Sequence, residues 1–111
     1  MSYLIEAYQQ KKFGEAAYFL RIASDLTGDP QWLCQLGDAY IQLDSLPSAD
    51  SAYGRAITTN PELACAYFGM AELYYRRSDY NQAATYCREG LRREPSSQTG
   101  QALLKKIQSK Q

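Results

Sequence analysis

The chain has 111 residues, 45% of them apolar, and its 12 basic side chains balance 12 acidic ones, so one globular unit is expected. No apolar run reaches the roughly 18 residues that a membrane-spanning helix needs, and Glu6 interrupts the start of the chain where a signal peptide would be apolar. We therefore expect no membrane insertion and no signal peptide.

Helical periodicity and end signals divide the chain into seven predicted helices, at about 2–10, 13–26, 30–43, 46–59, 63–77, 80–93 and 97–109. Ser45 is a predicted N-cap, because its hydroxyl can accept from the first free N–H groups of a helix. Asp79 is predicted to cap the sixth helix, with Gln82 as its capping-box partner. Ser96 or Ser97 is predicted to cap the last helix.

Four of the helices repeat one pattern at an offset of 34 residues. The first set is Leu33, Leu36, Gly37, Tyr40, Ala49, Tyr53, Ala56 and Pro61, and the second is Tyr67, Met70, Ala71, Tyr74, Ala83, Cys87, Gly90 and Pro95. Tyr53 and Cys87 are the least similar pair. Gly37 and Ala71 are small where two helices must approach closely. Pro61 and Pro95 cannot continue a helix, so each marks the end of a helical hairpin.

The pattern resembles the tetratricopeptide repeat, W-x2-L-G-x2-Y…A-x3-F…P over about 34 residues. Leu33 and Tyr67 stand at the tryptophan position, and Trp32 lies one residue early. The resemblance implies an all-α fold, a right-handed α-solenoid of antiparallel helix hairpins with about three repeats and a C-terminal capping helix. It implies no cofactor.

We expect a single domain over 1–111, with a truncated, degenerate repeat at 1–29, full repeats at 30–63 and 64–97, and a capping helix at 98–111. The degenerate repeat is recognised by four residues that match the next repeat at an offset of 33, namely Phe13, Ala16, Leu20 and Ala23. In the capping helix, Leu104 and Ile107 continue the register of Met70 and Leu73. A fragment of a longer array in an assembly or secretion protein is an alternative interpretation.

The resemblance implies that the first helix of each hairpin forms a concave wall, which in this family binds a peptide or a partner's helix. Carrying the family's wall positions over one by one gives Ile5, Tyr8, Gln9, Gln31, Cys34, Gln35, Asp38, Ile41, Gln42, Cys65, Phe68, Glu72, Tyr75 and Arg76. This mixture of rings and amides suits an amphipathic partner segment. The expected function is therefore that of a protein–protein interaction module, an adaptor, scaffold or chaperone.

One binding mode of the family is not expected here. The clamp for a chaperone's C-terminal carboxylate needs lysine, arginine and asparagine side chains at positions that fall on Met1, Ile5, Gln35, Cys65 and Gly69. None of these is cationic, so a bound carboxylate would lack a counter-charge. The tail of a heat-shock protein is therefore not an expected ligand.

The remaining reactive residues predict neither a metal site nor an enzyme. Cys34, Cys65 and Cys87 lack the paired spacing of zinc ligands, and there is no histidine. We expect three small, buried or half-buried thiols in a reducing compartment, which predicts a cytoplasmic location. No catalytic motif is present. Asp38 and Glu72 fall on the same wall, and only strongly raised pKa values at both would change this interpretation.

Charge is unevenly distributed along the chain. Residues 1–75 carry four bases against nine acids, whereas residues 76–111 carry eight bases against three acids. Such a split favours a solvated face, with head-to-tail self-association as an alternative. Nucleic-acid binding by the basic end, through Arg76, Arg77, Arg88, Arg92 and Arg93, is the weakest alternative, because no recognition motif accompanies these arginines.

Overall fold

The computed structural model describes residues 12–111, and within them every regular element is an α-helix. The six helices are α1 (Phe13–Thr27), α2 (Pro30–Gln42), α3 (Leu46–Thr59), α4 (Ala64–Arg76), α5 (Tyr80–Arg93) and α6 (Gln98–Gln108). The predicted all-α class is confirmed, and each of these helices begins and ends within one residue of its predicted bounds. The helix predicted at 2–10 lies outside the described residues.

Side-chain caps fix the starts of three helices. Asp29 accepts from the Gln31 N–H at 3.0 Å, Asp79 from the Gln82 N–H at 3.3 Å, and Ser97 from the Gly100 N–H at 3.0 Å. The cap predicted at Ser45 is wrong, since its side chain makes no capping bond. Gln82 is no capping-box partner either, because the Asp79 N–H donates to Tyr74 O at 2.9 Å.

Two hairpin turns share one backbone conformation at positions 34 residues apart. Asp44 and Ser78 both take positive φ angles, 57° and 62°. The N–H of the next residue then donates to a carbonyl of the preceding helix, Ser45 to Tyr40 at 2.8 Å and Asp79 to Tyr74 at 2.9 Å. The repeat is therefore present in the turn geometry as well as in the apolar pattern.

The helices form a solenoid in which alternate helices share one wall. Each helix packs against the next, and α2 also packs against α4, as α4 does against α6. α2, α4 and α6 thus stand in a row, with α3 and α5 behind them. Ile107 of α6 is fully buried against Ala71, Ala83, Ala84 and Cys87. This is the apolar contact expected of a capping helix.

The ring of Tyr53 joins the two layers. Tyr53 projects from α3 and is only 1% exposed. A Cβ atom added at Gly37 of α2 would stand 2.5 Å from this ring, and one added at Gly69 of α4 would be closer still. The small residue predicted at position 37 is therefore required by a neighbouring side chain. The ring fills a slot between α2 and α4 that only glycine leaves open.

None of the helices in residues 12–111 is both long enough and apolar enough to cross a membrane.

Candidate functional site: a groove along alternate helices

An open groove of about 880 Å³ lies along α2, α4 and α6. α2 contributes Asp38, Ile41 and Gln42; α4 contributes Cys65, Phe68, Gly69 and Glu72; α6 contributes Thr99, Ala102, Leu103 and Lys106. Tyr53, Glu94 and Ser97 complete the lining. The surface combines apolar side chains with a small number of charged groups, which is typical of a site for a protein segment.

Six of the predicted wall residues line this groove, namely Asp38, Ile41, Gln42, Cys65, Phe68 and Glu72. Ile41 is only 2% exposed and belongs to the groove floor. Phe68 has a second role, because Cβ atoms added at Gly90 and Gly100 would each stand 2.5 Å from its ring. Its ring is therefore wedged between α5 and α6 while one part of it faces the groove.

The other described wall residues do not line the groove: Gln31, Cys34, Gln35, Tyr75 and Arg76. Cys34 is 3% exposed and packs in the core. Tyr75 packs edge-on against Tyr80 with ring centroids 5.5 Å apart, and Arg76 Nη1 donates to Ile41 O at 3.4 Å. Gln31 and Gln35 are exposed on α2. Ile5, Tyr8 and Gln9 lie outside the described residues.

The carry-over missed the contribution of the capping helix. Thr99, Ala102, Leu103 and Lys106 follow Cys65, Phe68, Gly69 and Glu72 by 34 residues each. The α6 lining is thus one further copy of the α4 lining. The register already noted for Leu104 and Ile107 would have found it, had it been extended to the neighbouring face of the same helix.

Three charged side chains occupy equivalent positions on the three groove helices: Asp38, Glu72 and Lys106. Lys106 Nζ lies 3.7 Å from Glu72 Oε1 and 4.5 Å from the ring centre of Tyr75. Asp38 accepts a hydrogen bond from the Tyr53 hydroxyl. Burial raises the pKa of the Asp38 carboxyl above its ordinary value, the Tyr53 hydrogen bond lowers it, and repulsion from Glu72 raises it further. The site therefore holds one carboxylate in an unfavourable setting.

A disulfide links two of the groove helices. Cys34 of α2 and Cys65 of α4 are bonded, with their Cα atoms 6.2 Å apart. The prediction of three unpaired thiols is therefore wrong for this pair, although Cys87 is a free and buried thiol. The two cysteines are 31 residues apart. That is one helical turn short of the repeat, so they occupy the same face of neighbouring helices at staggered heights.

The arginines of the basic end are largely engaged within the chain. Arg93 Nε donates to Pro61 O at 2.8 Å, and its guanidinium lies 4.1 Å from the ring centre of Tyr67. Arg92 and Arg93 both pair with Glu89, at 2.7 and 2.8 Å. Those two hydrogen bonds lower the pKa of Glu89. These contacts tie α5 to the chain before α4 and reduce the cationic surface open to nucleic acid.

The family model described as tetratricopeptide repeat matches residues 31–63. Residues 31–63 are a tetratricopeptide repeat. The solved structures of tetratricopeptide domains that superpose on the chain extend this fold to its other helices. The Arabidopsis OM64 tetratricopeptide domain is 22% identical, with a TM-score of 0.86 over 96% of this chain and 88% of its own. No curated protein sequence matches.

Two human structures have the same tetratricopeptide fold. The first such domain of the RPAP3 protein is 20% identical, with a TM-score of 0.89 over 98% of this chain and 87% of its own. The second RPAP3 domain, solved in complex with the HSP70 peptide SGPTIEEVD, is 16% identical, with a TM-score of 0.82 over 96% of this chain and 90% of its own. At these identities the similarity establishes the fold.

Proposed function

We propose that this chain is a protein–protein interaction module that binds a peptide or an amphipathic helix of a partner protein in the groove of α2, α4 and α6. The observation that carries the proposal is the groove itself, about 880 Å³ in volume and lined by side chains from three consecutive repeat positions. Related folds use the same architecture for this purpose, since the second RPAP3 domain was solved with a bound peptide. An adaptor, scaffold or chaperone role follows.

The groove differs from a carboxylate clamp. Of the clamp positions, Gly69 lacks a side chain and Cys65 is oxidised in the disulfide. Lys106 does supply one cation to the groove, contrary to the expectation of none, but Glu72 pairs with it. A free C-terminal carboxylate would have to compete with Glu72 for this lysine. We therefore propose an internal segment of a partner protein as the ligand, with no catalytic role for the chain.

A cytoplasmic location stays a prediction. The Cys34–Cys65 disulfide counts against it, because disulfides are rare in reducing compartments.

Selection from a phage-displayed library of random dodecapeptides tests the groove as the binding site. Ala102 is exposed on α6 and lines the groove, so Ala102→Trp fills it with neutral bulk at a position that tolerates a large side chain. Ser51→Trp places the same bulk on the exposed face of α3 as the matched control. We expect peptides selected on the unmodified chain to bind Ser51→Trp equally and to lose binding to Ala102→Trp. Equal binding to both variants would contradict the proposal.

A further inference from the structure

The charges in the groove are predominantly negative. Asp38, Glu72 and Glu94 contribute three carboxylates, and Lys106 contributes one ammonium group. The ammonium is already used, at 3.7 Å from Glu72 and over the ring of Tyr75. The ion pairs formed among residues 12–111 do not include Asp38 or Glu94. Two negative charges in the groove are therefore left without a cationic partner from the described chain.

Asp38 is held in place by the packing of Tyr53. The ring of Tyr53 is fixed in the slot between Gly37 and Gly69, and its hydroxyl donates to Asp38. The carboxylate therefore has a defined position at the groove even without a ligand, so a ligand need not pay to order it. Glu72, on the next helix, repels it. A carboxylate that is both fixed and repelled gains most from an added cation.

Apolar surface lies beside these charges. Phe68 and Leu103 are half-buried in the groove lining, and Ala102 is exposed next to them. A lysine or arginine side chain can lay its aliphatic stem along such a surface while its charged group reaches a carboxylate. The lining thus fits a segment in which apolar and cationic residues alternate along one face.

We propose that the groove selects a cationic segment, a peptide or helix with apolar anchors and at least one lysine or arginine directed at Asp38 and Glu72. This inference rests on the proposed function and specifies its ligand. Complementary charge is the usual source of such selectivity, and like charges opposed across an interface are penalised. The HSP70 peptide bound by the second RPAP3 domain, SGPTIEEVD, carries the opposite charge.

The same dodecapeptide library tests the charge, with the analysis restricted to peptides that lose binding to Ala102→Trp. We expect these peptides to be enriched in lysine and arginine. A synthetic peptide from the enriched set, titrated by fluorescence anisotropy, should bind about tenfold more weakly to Asp38→Asn, the loss of about one charge contact. Its affinity should also fall as the salt concentration rises.

Two further variants keep the test decisive. Asp44→Asn removes the same charge from an exposed turn outside the groove, and asparagine tolerates the positive φ there. Binding to Asp44→Asn should be unchanged. Glu94→Gln removes an exposed groove charge without disturbing the core, so it replaces Asp38→Asn if that variant fails to fold.

The outcomes separate the two proposals. Groove-dependent peptides of neutral or acidic composition would overturn the cationic ligand and leave the interaction function intact. Equal weakening by Asp38→Asn and Asp44→Asn would also overturn it, because only overall charge would then matter. Failure to recover any groove-dependent peptide would overturn the proposed function, and the charge selectivity with it.

Discussion

At the scale of single residues, the glycine at position 37 is set by the Tyr53 ring. A Cβ at Gly37 would stand 2.5 Å from that ring, whereas one at Gly54, also within a helix, meets nothing within 4 Å. We expect Gly37→Ala to lower the free energy of unfolding by about 1–3 kcal/mol, the usual cost of overpacking. Gly54→Ala should raise it by about 0.5–1 kcal/mol, because alanine loses less entropy in a helix. Urea denaturation measures both, and equal effects would contradict the wedge.

Asp38 makes stability depend on pH in a direction that can be worked out. Burial raises the pKa of its carboxyl in the folded chain above the unfolded value. Its contribution to stability is therefore fully present below the unfolded pKa and is lost as pH rises through the folded pKa. Relative to the unmodified chain, Asp38→Asn should have a similar melting temperature near pH 3 and a higher one at pH 7. The control Asp44→Asn should show no such rise, and a lower melting temperature of Asp38→Asn at pH 7 would contradict this assignment.

At the scale of helices, the disulfide ties α2 to α4 independently of their packing. Closing a loop over 31 residues of separation stabilises a chain by about 3–4 kcal/mol in the chain-entropy estimate. We expect a lower melting temperature in dithiothreitol, and no effect of dithiothreitol on the double variant Cys34→Ala, Cys65→Ala. Alkylation after denaturation without reductant should label Cys87 alone. Labelling of all three cysteines would contradict the bond.

The helices themselves were predictable, because apolar spacing and end signals are local properties of the sequence. The 34-residue register placed α2 to α5 to within one residue. The cap at Ser45 failed for a local reason that the sequence does not reveal. Its N–H is committed to Tyr40 O by the tight turn at Asp44, and its side chain is not positioned to cap. The disulfide was missed because it depends on the stagger between neighbouring helices, which the repeat alone does not specify.

At the scale of the whole molecule, the groove was only partly predictable. Positions on α2 and α4 followed from the family resemblance, because they face the wall in every repeat. The double role of Phe68 did not follow, since it requires glycines at 90 and 100 on two other helices. Tyr53, assigned to the core, also reaches the groove through its hydroxyl. Side chains that span both layers escape any scheme that sorts residues into core or wall.

The capping helix completes both the core and the groove, and Ile107 attaches it. This side chain is fully buried against residues of α4 and α5, while Lys105 on the same helix is exposed. Truncating a buried isoleucine leaves a cavity and costs about 2–5 kcal/mol, so we expect Ile107→Ala to lower the free energy of unfolding by that amount. Lys105→Ala should change it by less than about 0.5 kcal/mol.

Because Leu103 and Lys106 reach the groove from this same helix, loosening α6 should also weaken binding of a groove-selected peptide. Urea denaturation and fluorescence anisotropy on the same samples measure the two effects together. If Ile107→Ala lost stability but kept full peptide affinity at a temperature where it remains folded, α2 and α4 alone would suffice for binding. The role assigned to α6 as the third side of the groove would then be wrong.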